Sequence, residues 1–169
     1  MVLLLRHFFA IVVLPFTVAV LVPVWIARRY DVVLTLSRPA GPVFLQGVGL
    51  VLLSLGIVLF VASLCRFAAE GKGTLAPWDP PRVFVVKGPY QFVRNPMISG
   101  VILSLFGEAF MLLSPSHAAW ALGFTILNLI YIPFVEEPQL VRRFGDPYRD
   151  YCRHVRRFIP HVRPWRPIP

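Results

Sequence analysis

Apolar positions in this chain come in long blocks, and polar positions gather between them. Residues 8–27 form the first block, and about 20 such residues suffice to cross the hydrocarbon core of a bilayer. Pro15 and Pro23 fall inside it. They predict kinks rather than an end, because neighbouring helices in a membrane satisfy the backbone groups that a proline frees. The run is long for the apolar part of a signal peptide, and no clear small-residue cleavage site follows it. Residues 28–42 are a polar linker with Arg28, Arg29, Asp31 and Arg38. The second block, 43–65, is interrupted only by Gln46, Ser54, Ser63 and glycines; Gly47, Gly49 and Gly56 predict close approach of another helix. The third block, 96–113, opens on Pro96 at a first helical position, where its missing N–H costs nothing. Ser114-Pro115-Ser116 is a tight turn, and 117–135 is the fourth block. The last two blocks predict a helical hairpin close to the lower length limit for spanning.

Between the second and third blocks, 66–94 is a long loop. Gly71-Lys72-Gly73 and Pro77-Trp78-Asp79-Pro80-Pro81 exclude a helix through its middle, and Val83-Phe84-Val85-Val86 reads as a short extended run. After residue 135 the chain turns polar. Leu140, Phe144, Tyr148, Tyr151, Val155 and Phe158 recur at three- and four-residue steps, which predicts one apolar face. Arg142, Arg143, Arg149, Arg153 and Arg156 occupy the opposite face. Gly145 breaks the pattern, with Asp146 placed as an N-cap and Pro147 as the first helical residue. Such a tail predicts one or two amphipathic helices lying on lipid headgroups. The 66–94 loop carries five cations, the tail eight and the 114–116 turn none. The positive-inside rule therefore places the loop, the tail and both termini in the cytoplasm. The 28–42 linker, with three arginines, then lies outside, against that rule.

Composition supports the membrane reading. Of 169 residues 57% are hydrophobic and 15% charged, with a mean hydropathy of +0.69; soluble domains carry about 45–50% apolar and about 25% charged residues. The expected fold is an all-α integral membrane domain over residues 1–169, with about four transmembrane helices, a cytoplasmic loop and an amphipathic helical tail. A net charge of +9 can signal nucleic acid. Here the cations flank apolar blocks and fit topology and anionic headgroups, so membrane lipids are expected as partners and nucleic acid is not. Cys65 and Cys152 are far apart and match no metal-ligand spacing. They read as ordinary thiols, and no metal is expected.

The stretch Lys87-Gly88-Pro89-Tyr90-Gln91-Phe92-Val93-Arg94-Asn95-Pro96-Met97-Ile98-Ser99-Gly100 is denser in Gly, Pro, aromatics and cations than a linker between two helices needs. Glu136-Glu137-Pro138 stands where the fourth apolar block ends. Each has a plainer reading alone: Arg94 as a positive anchor, the glutamates as a solvated helix end, Tyr148 and Tyr151 as interfacial aromatics. Together they are polar ends of one hairpin, and they predict a site at one membrane face.

Gly88-Pro89-Tyr90, Val93-Arg94-Asn95-Pro96, Gly100, Glu136-Glu137, Leu140, Phe144-Gly145, Tyr148, Tyr151, Val155, Arg157-Phe158 and Pro160 resemble the isoprenylcysteine carboxyl methyltransferase and phospholipid methyltransferase superfamily of integral membrane enzymes. The resemblance covers residues 73–160, the expected catalytic region. It implies S-adenosylmethionine as cofactor and a lipid or lipophilic acceptor at the cytoplasmic face. Carboxyl methyltransferases of this kind read Arg-His-Pro-x-Tyr-x-Gly; here Asn95 replaces the His and Ile98 the Tyr, closer to the phosphatidylethanolamine methyltransferase branch. On this resemblance Glu136 or Glu137 supplies an anion for the cofactor's ammonium or ribose diol. Arg94 binds its carboxylate, aided by the N–H groups of Met97 and Ile98 at the helix start after Pro96. Tyr90, Phe92, Tyr148 and Tyr151 are candidates for an adenine slot, and Gly88 and Gly100 let backbone approach the ligand. Arg94, Asn95 and Glu137 are the expected catalytic residues, with an orienting role for Asn95.

Glu108 falls within the third block, where an ionisable group is costly and usually functional. It is expected to bind the acceptor, or to pair with His117 or Asn128. No Gly-rich loop follows a strand, which excludes a Rossmann-type methyltransferase. Two other readings remain: carboxyl methylation of a prenylated thiol or peptide, and a non-catalytic multi-pass membrane protein.

Overall fold

The computed structural model describes residues 12–35, 40–70 and 83–166. Among them every regular element is helical. A π-helical stretch (Val12–Leu21) runs into α1 (Val22–Arg29), followed by α2 (Ala40–Glu70). After the 3-10 turn Gly88–Gln91 come α3 (Pro96–Met111) and α4 (Pro115–Tyr131). A π-helical turn (Ile132–Glu136) joins α4 to α5 (Glu137–Phe144), and α6 (Asp146–His154) follows. The Gly-Lys-Gly and Pro-rich parts of the 66–94 loop, the start of the first apolar block and residues 36–39 of the linker lie outside the described residues.

Among the described residues two helices are long and apolar enough to cross a bilayer: α2, with 31 residues, and the continuous helix Pro115–Phe144, with 30. Apolar side chains such as Phe44, Val51 and Val58 on α2, and Leu122, Ile126 and Leu129 on α4, are exposed on the protein surface, as those of a bilayer-crossing helix are. The 16 residues of α3 extend about 24 Å, short of the roughly 30 Å hydrocarbon core. This third helix is carried by its neighbours. It lies antiparallel along α2, with backbones nearly touching. A Cβ at Gly49 would stand 2.5 Å from the Met111 nitrogen, one at Gly56 2.6 Å from the Gly100 oxygen, and one at Gly107 2.5 Å from the Leu53 nitrogen. Gly49, Gly56 and the buried Ser63 repeat at seven residues and form one stripe of α2. Gly47, expected to share that role, faces open space, since it stands off the stripe.

The other face of α3 presents Val101 and Leu105 to Ala121 of α4. The N-terminal helical segment is fastened to α4 by two side chains. Trp120 Nε1 donates to the Val18 carbonyl at 3.1 Å. In a π-helix that carbonyl would receive the N–H five residues on, and that residue, Pro23, has none. The Pro23 carbonyl in turn lies 3.1 Å from His117 Nε2. A carbonyl only accepts, so Nε2 donates and Nδ1 accepts from the Ser114 hydroxyl at 2.8 Å. Thus His117 is bound to Ser114 and Pro23, and Asn128 donates to the Phe124 carbonyl; neither pairs with Glu108.

Several boundaries differ from those the sequence suggests. The second helix continues past Cys65 to Glu70, through Ala68-Ala69, the best helix formers, with an Arg66–Glu70 contact at 3.8 Å across the last turn. The hairpin turn is residues 112–114, because α4 already starts at Pro115 and Ser114 caps it by accepting from the His117 N–H. Asp146 is the first residue of α6 rather than its cap, and its carboxylate takes Arg149 Nη1 at 2.7 Å instead. Gly145 makes the α5–α6 corner with a φ of 63°, which a side chain would strain.

The largest difference concerns the tail. Its apolar face exists, but protein covers it. Tyr148, Tyr151 and Val155 form a buried cluster packed by Phe84, Val86, Leu140, Phe144 and Trp165. The tail therefore folds back on residues 83–86 as a cap. Its arginine face is left outward, with Arg142, Arg149, Arg153 and Arg156 exposed.

Candidate functional site

The cap meets the membrane helices at the start of α3. Gly88 opens the approach with a φ of 61°, where a Cβ would stand 3.0 Å from the Arg66 side chain. Pro89 turns the chain, and its carbonyl accepts from the N–H groups of Phe92 and Val93. Residues 91–95 are then held by the chain end. Arg94 N–H donates to the Arg156 carbonyl (2.9 Å), Asn95 N–H to that of Arg157 (3.3 Å), His161 N–H to that of Phe92 (2.8 Å) and Trp165 N–H to that of Gln91 (3.0 Å). From the cap's core, the Tyr151 hydroxyl donates to the Tyr90 carbonyl at 2.6 Å. The first intrahelical bond of α3 runs from Ser99 to Asn95. The N–H groups of Met97 and Ile98 stand ahead of it and point out of the helix start.

Across from this helix start, the π-helical turn Ile132–Glu136 carries α4 into α5. It contains Pro133 and is followed by Pro138, two residues that cannot donate into a regular ladder. A π turn inserts about one residue and so rotates the helix beyond it by roughly 100° about the axis. The adjacent glutamates end in different surroundings. The Glu137 carboxylate takes Arg94 Nη1 on Oε1 at 2.9 Å. It also takes Arg157 Nε on Oε1 and Arg157 Nη2 on Oε2, both at 2.8 Å. Arg94 and Glu137 retain only 11% and 14% of their side-chain exposure, so this pair is shielded from solvent. Glu136, half-buried, has no hydrogen bond or ion pair among the described residues and lies close enough to act on the Tyr90 phenol.

The titration of the aromatic groups follows from this packing. Burial pushes the Tyr90 phenol up, with Tyr151 and the Glu136 carboxylate adding to it. Burial also raises Tyr148, helped by Cys152. It raises Tyr151 against the opposing charge of Arg94. Hydrogen bonds to Glu137 hold Arg157 more firmly protonated. Among the described residues Arg94 Nε is buried and has no partner.

The structure therefore brings together Tyr90, Arg94, Asn95, Pro96, Met97, Glu136 and Glu137 of the expected site. Tyr148 and Tyr151, 4% and 2% exposed, are packed around Phe84 at ring distances of 5.4 and 5.1 Å and build the cap's core. Gly100 faces Gly56 and Phe60 of α2, so its missing side chain serves helix packing. Glu108 lies three turns along α3, about 18 Å of helix rise from Pro96, with Oε2 buried and unpartnered. That distance separates it from the Arg94–Glu137 pair. Reasoning from the sequence missed Arg157 as a partner. The signal was its place directly after Arg156, the last arginine of the outward face, and directly before the apolar Phe158-Ile159-Pro160.

Comparison with known proteins fits this arrangement. Residues 45–147, more than half the chain, match the phospholipid methyltransferase family. The chain is 34% identical over 71 residues to a methanethiol S-methyltransferase of Mycobacterium tuberculosis, a match covering 42% of this chain and 28% of that protein. It is 36% identical over 87 residues to methanethiol S-methyltransferase 1 of Bradyrhizobium diazoefficiens, covering 52% and 28%. With a phosphatidylethanolamine N-methyltransferase of Pyrenophora tritici-repentis it shares 31% identity over 94 residues, covering 53% of this chain and 10% of that one. The aligned stretches thus span less than a third of these relatives' lengths. The matched residues contain both the start of α3 and the Glu136-Glu137 turn, and the chain belongs to the phospholipid methyltransferase family.

Proposed function

We propose that this chain transfers a methyl group from S-adenosylmethionine to a lipophilic acceptor reached from the bilayer, at the cytoplasmic membrane face. The observation that carries the reading is the shielded Arg94–Glu137 ion pair at 2.9 Å, set against the free N–H groups that open α3. The residues present fit the cofactor. Arg94 Nε is a buried donor with no acceptor, and with the Met97 and Ile98 N–H groups it suits a carboxylate. Glu136 offers a carboxylate, without a partner among the described residues, for an ammonium or a ribose diol. Tyr90 offers an aromatic face, which attracts cations such as a sulfonium. When bound, S-adenosylmethionine supplies an electrophilic methyl group on a good leaving group. The chain's task is then alignment, and holding two reactants in line supplies roughly 7–11 kcal/mol of barrier lowering. Asn95 carries no titratable proton and orients rather than relays.

In this reading the helices form four passes, with α3 as a short one, and both termini are cytoplasmic. The names of the relatives cover a thiol and a phospholipid amine as acceptors. A prenylated thiol or peptide carboxylate is the competing class. Calorimetry in detergent tests the cofactor: S-adenosylhomocysteine binds the parent, and Glu137→Gln weakens it by about 1–3 kcal/mol. No heat from the parent at millimolar ligand would overturn the enzymatic reading and favour a non-catalytic membrane protein. Mass spectrometry of lipid extracts from cells with and without the protein then identifies the acceptor.

A further inference from the structure

Arg157 grips Glu137 with two parallel hydrogen bonds, Nε to Oε1 and Nη2 to Oε2, each 2.8 Å. It does so from beyond residue 147, where the family match ends. Glu137 Oε1 is shared with Arg94 Nη1. Two guanidinium groups therefore face one carboxylate, which leaves one positive charge in excess beside the start of α3. The backbone of the same segment holds that start in place. The Arg156 carbonyl accepts the Arg94 N–H, and the Arg157 carbonyl accepts the Asn95 N–H.

We propose that Arg157 is a positioning residue for the methyl-donor site: it fixes the plane of the Glu137 carboxylate, so that Arg94 keeps its Nε donor and its charge for an anionic group of the ligand. The inference rests on the function proposed above. Without Arg157, Glu137 is free to turn and take two donors of Arg94 at once, the fork-to-fork geometry that an arginine–carboxylate pair favours. Arg94 is then neutralised one to one, and its pull on a ligand carboxylate falls. Lysine restores a charge but not a planar fork, so it leaves the carboxylate plane unset. Arg157 also occupies both sides of the junction, with its side chain on the α5 end and its carbonyl on the α3 end. It thereby ties the tail to the two helix ends that form the site.

The test is a double-mutant cycle on the full chain in detergent micelles. S-adenosylhomocysteine is titrated by calorimetry into the parent, Arg157→Gln, Arg157→Lys, Glu137→Gln and the double Gln variant, with thermal melts confirming that each is folded. Arg157→Gln is expected to bind at least about tenfold more weakly, as for a lost charge-assisted hydrogen bond, and Arg157→Lys to recover only part of that. Once Glu137 is replaced, Arg157→Gln should change affinity by less than about twofold, because no carboxylate remains to be held. A role confined to packing the tail would lower the melting temperature and cut affinity by the same factor in both backgrounds, and that result overturns the proposal. So does an Arg157→Gln variant that binds like the parent. If Arg157→Gln does not fold, Arg157→Lys with and without Glu137→Gln makes the same comparison. A parent that binds no ligand overturns the proposed function and this inference with it. A parent that binds, in a cycle without coupling, overturns this inference alone.

Discussion

The α2–α3 seam and the cap over the site are held by opposite means. The seam is built by removing side chains: Gly49, Gly56, Gly100 and Gly107 bring two backbones together until a single Cβ would collide. The cap is built by adding them. Phe84, Tyr148, Tyr151 and Trp165 fill one cluster, and Glu137 gathers two arginines beside it. In lipid there is little hydrophobic drive between helices, so close packing must hold them. The cap has apolar area to bury and charges to pair, and it is held as a soluble domain is. α3 belongs to both regions: its glycines lie in the seam and its first turn lies in the site.

Breaking the seam should therefore have the largest effect. Gly107→Val puts side-chain atoms against the Leu53 backbone and the Gly49 carbonyl, neither of which can yield as a flexible side chain would. A loss of about 3 kcal/mol or more is expected in denaturation from detergent, together with loss of S-adenosylhomocysteine binding as the start of α3 shifts. Gly47→Ala, which meets open space, should stay within about 0.5 kcal/mol. Equal losses at the two positions would contradict the seam.

Alkaline pH should single out the cap. Burial raises Tyr90, Tyr148 and Tyr151 above the ordinary phenol value of 10.0. Their contribution to stability is complete below about pH 10 and declines as pH rises toward the folded values, because the unfolded chain ionises first. Each such phenol costs up to about 1.4 kcal/mol per pH unit in that window. Tyrosinate absorbance should then rise in step with loss of the cap. Ionisation of these three phenols at pH 10 in a cap that stays folded would show that they are not buried as described. A smaller effect, about 1–2 kcal/mol, is expected from Tyr151→Phe, which removes the donor to the Tyr90 carbonyl. Smallest is Arg149→Gln. Its partner Asp146 is solvent-exposed, so both stability and ligand binding should shift by no more than about 0.5 kcal/mol.

The sequence made one half of this comparison more readable than the other. Pro96 announces the start of α3 because a proline suits the first helical position, where no N–H is needed. Arg94 and the glutamate pair stand out because each interrupts apolar sequence at the end of a block. The spacing of seven that joins Gly49 to Gly56 was open to inspection, and it separates Gly47 from them. The cap was half-hidden. A period of three and four residues identifies an apolar face but not what covers it, and lipid or residues 83–86 would satisfy the same pattern. Arg157 was hidden for a related reason. It acts after α6 has ended at His154, where no helical period ranks residues by face, and its partner is 20 residues back. Glu108 was visible as an anomaly, and its distance from the site was legible as well, since a helix that opens at Pro96 carries residue 108 about 18 Å along its axis.

The two bonds that fasten the N-terminal helical segment carry a consequence for how the chain is made. Val18 waits for Trp120, 102 residues later, and Pro23 for His117, 94 residues later. At about 5–20 residues per second of synthesis, this segment is made roughly 5–20 s before either partner exists. The Val18 carbonyl, which Pro23 leaves without a helical donor, lacks its Trp120 ligand in that interval, so the segment's final docking follows synthesis of the hairpin. A segment made before the hairpin thus reaches its place only after it, and a defect at Trp120 or His117 would surface as a delay in biogenesis before any change in chemistry.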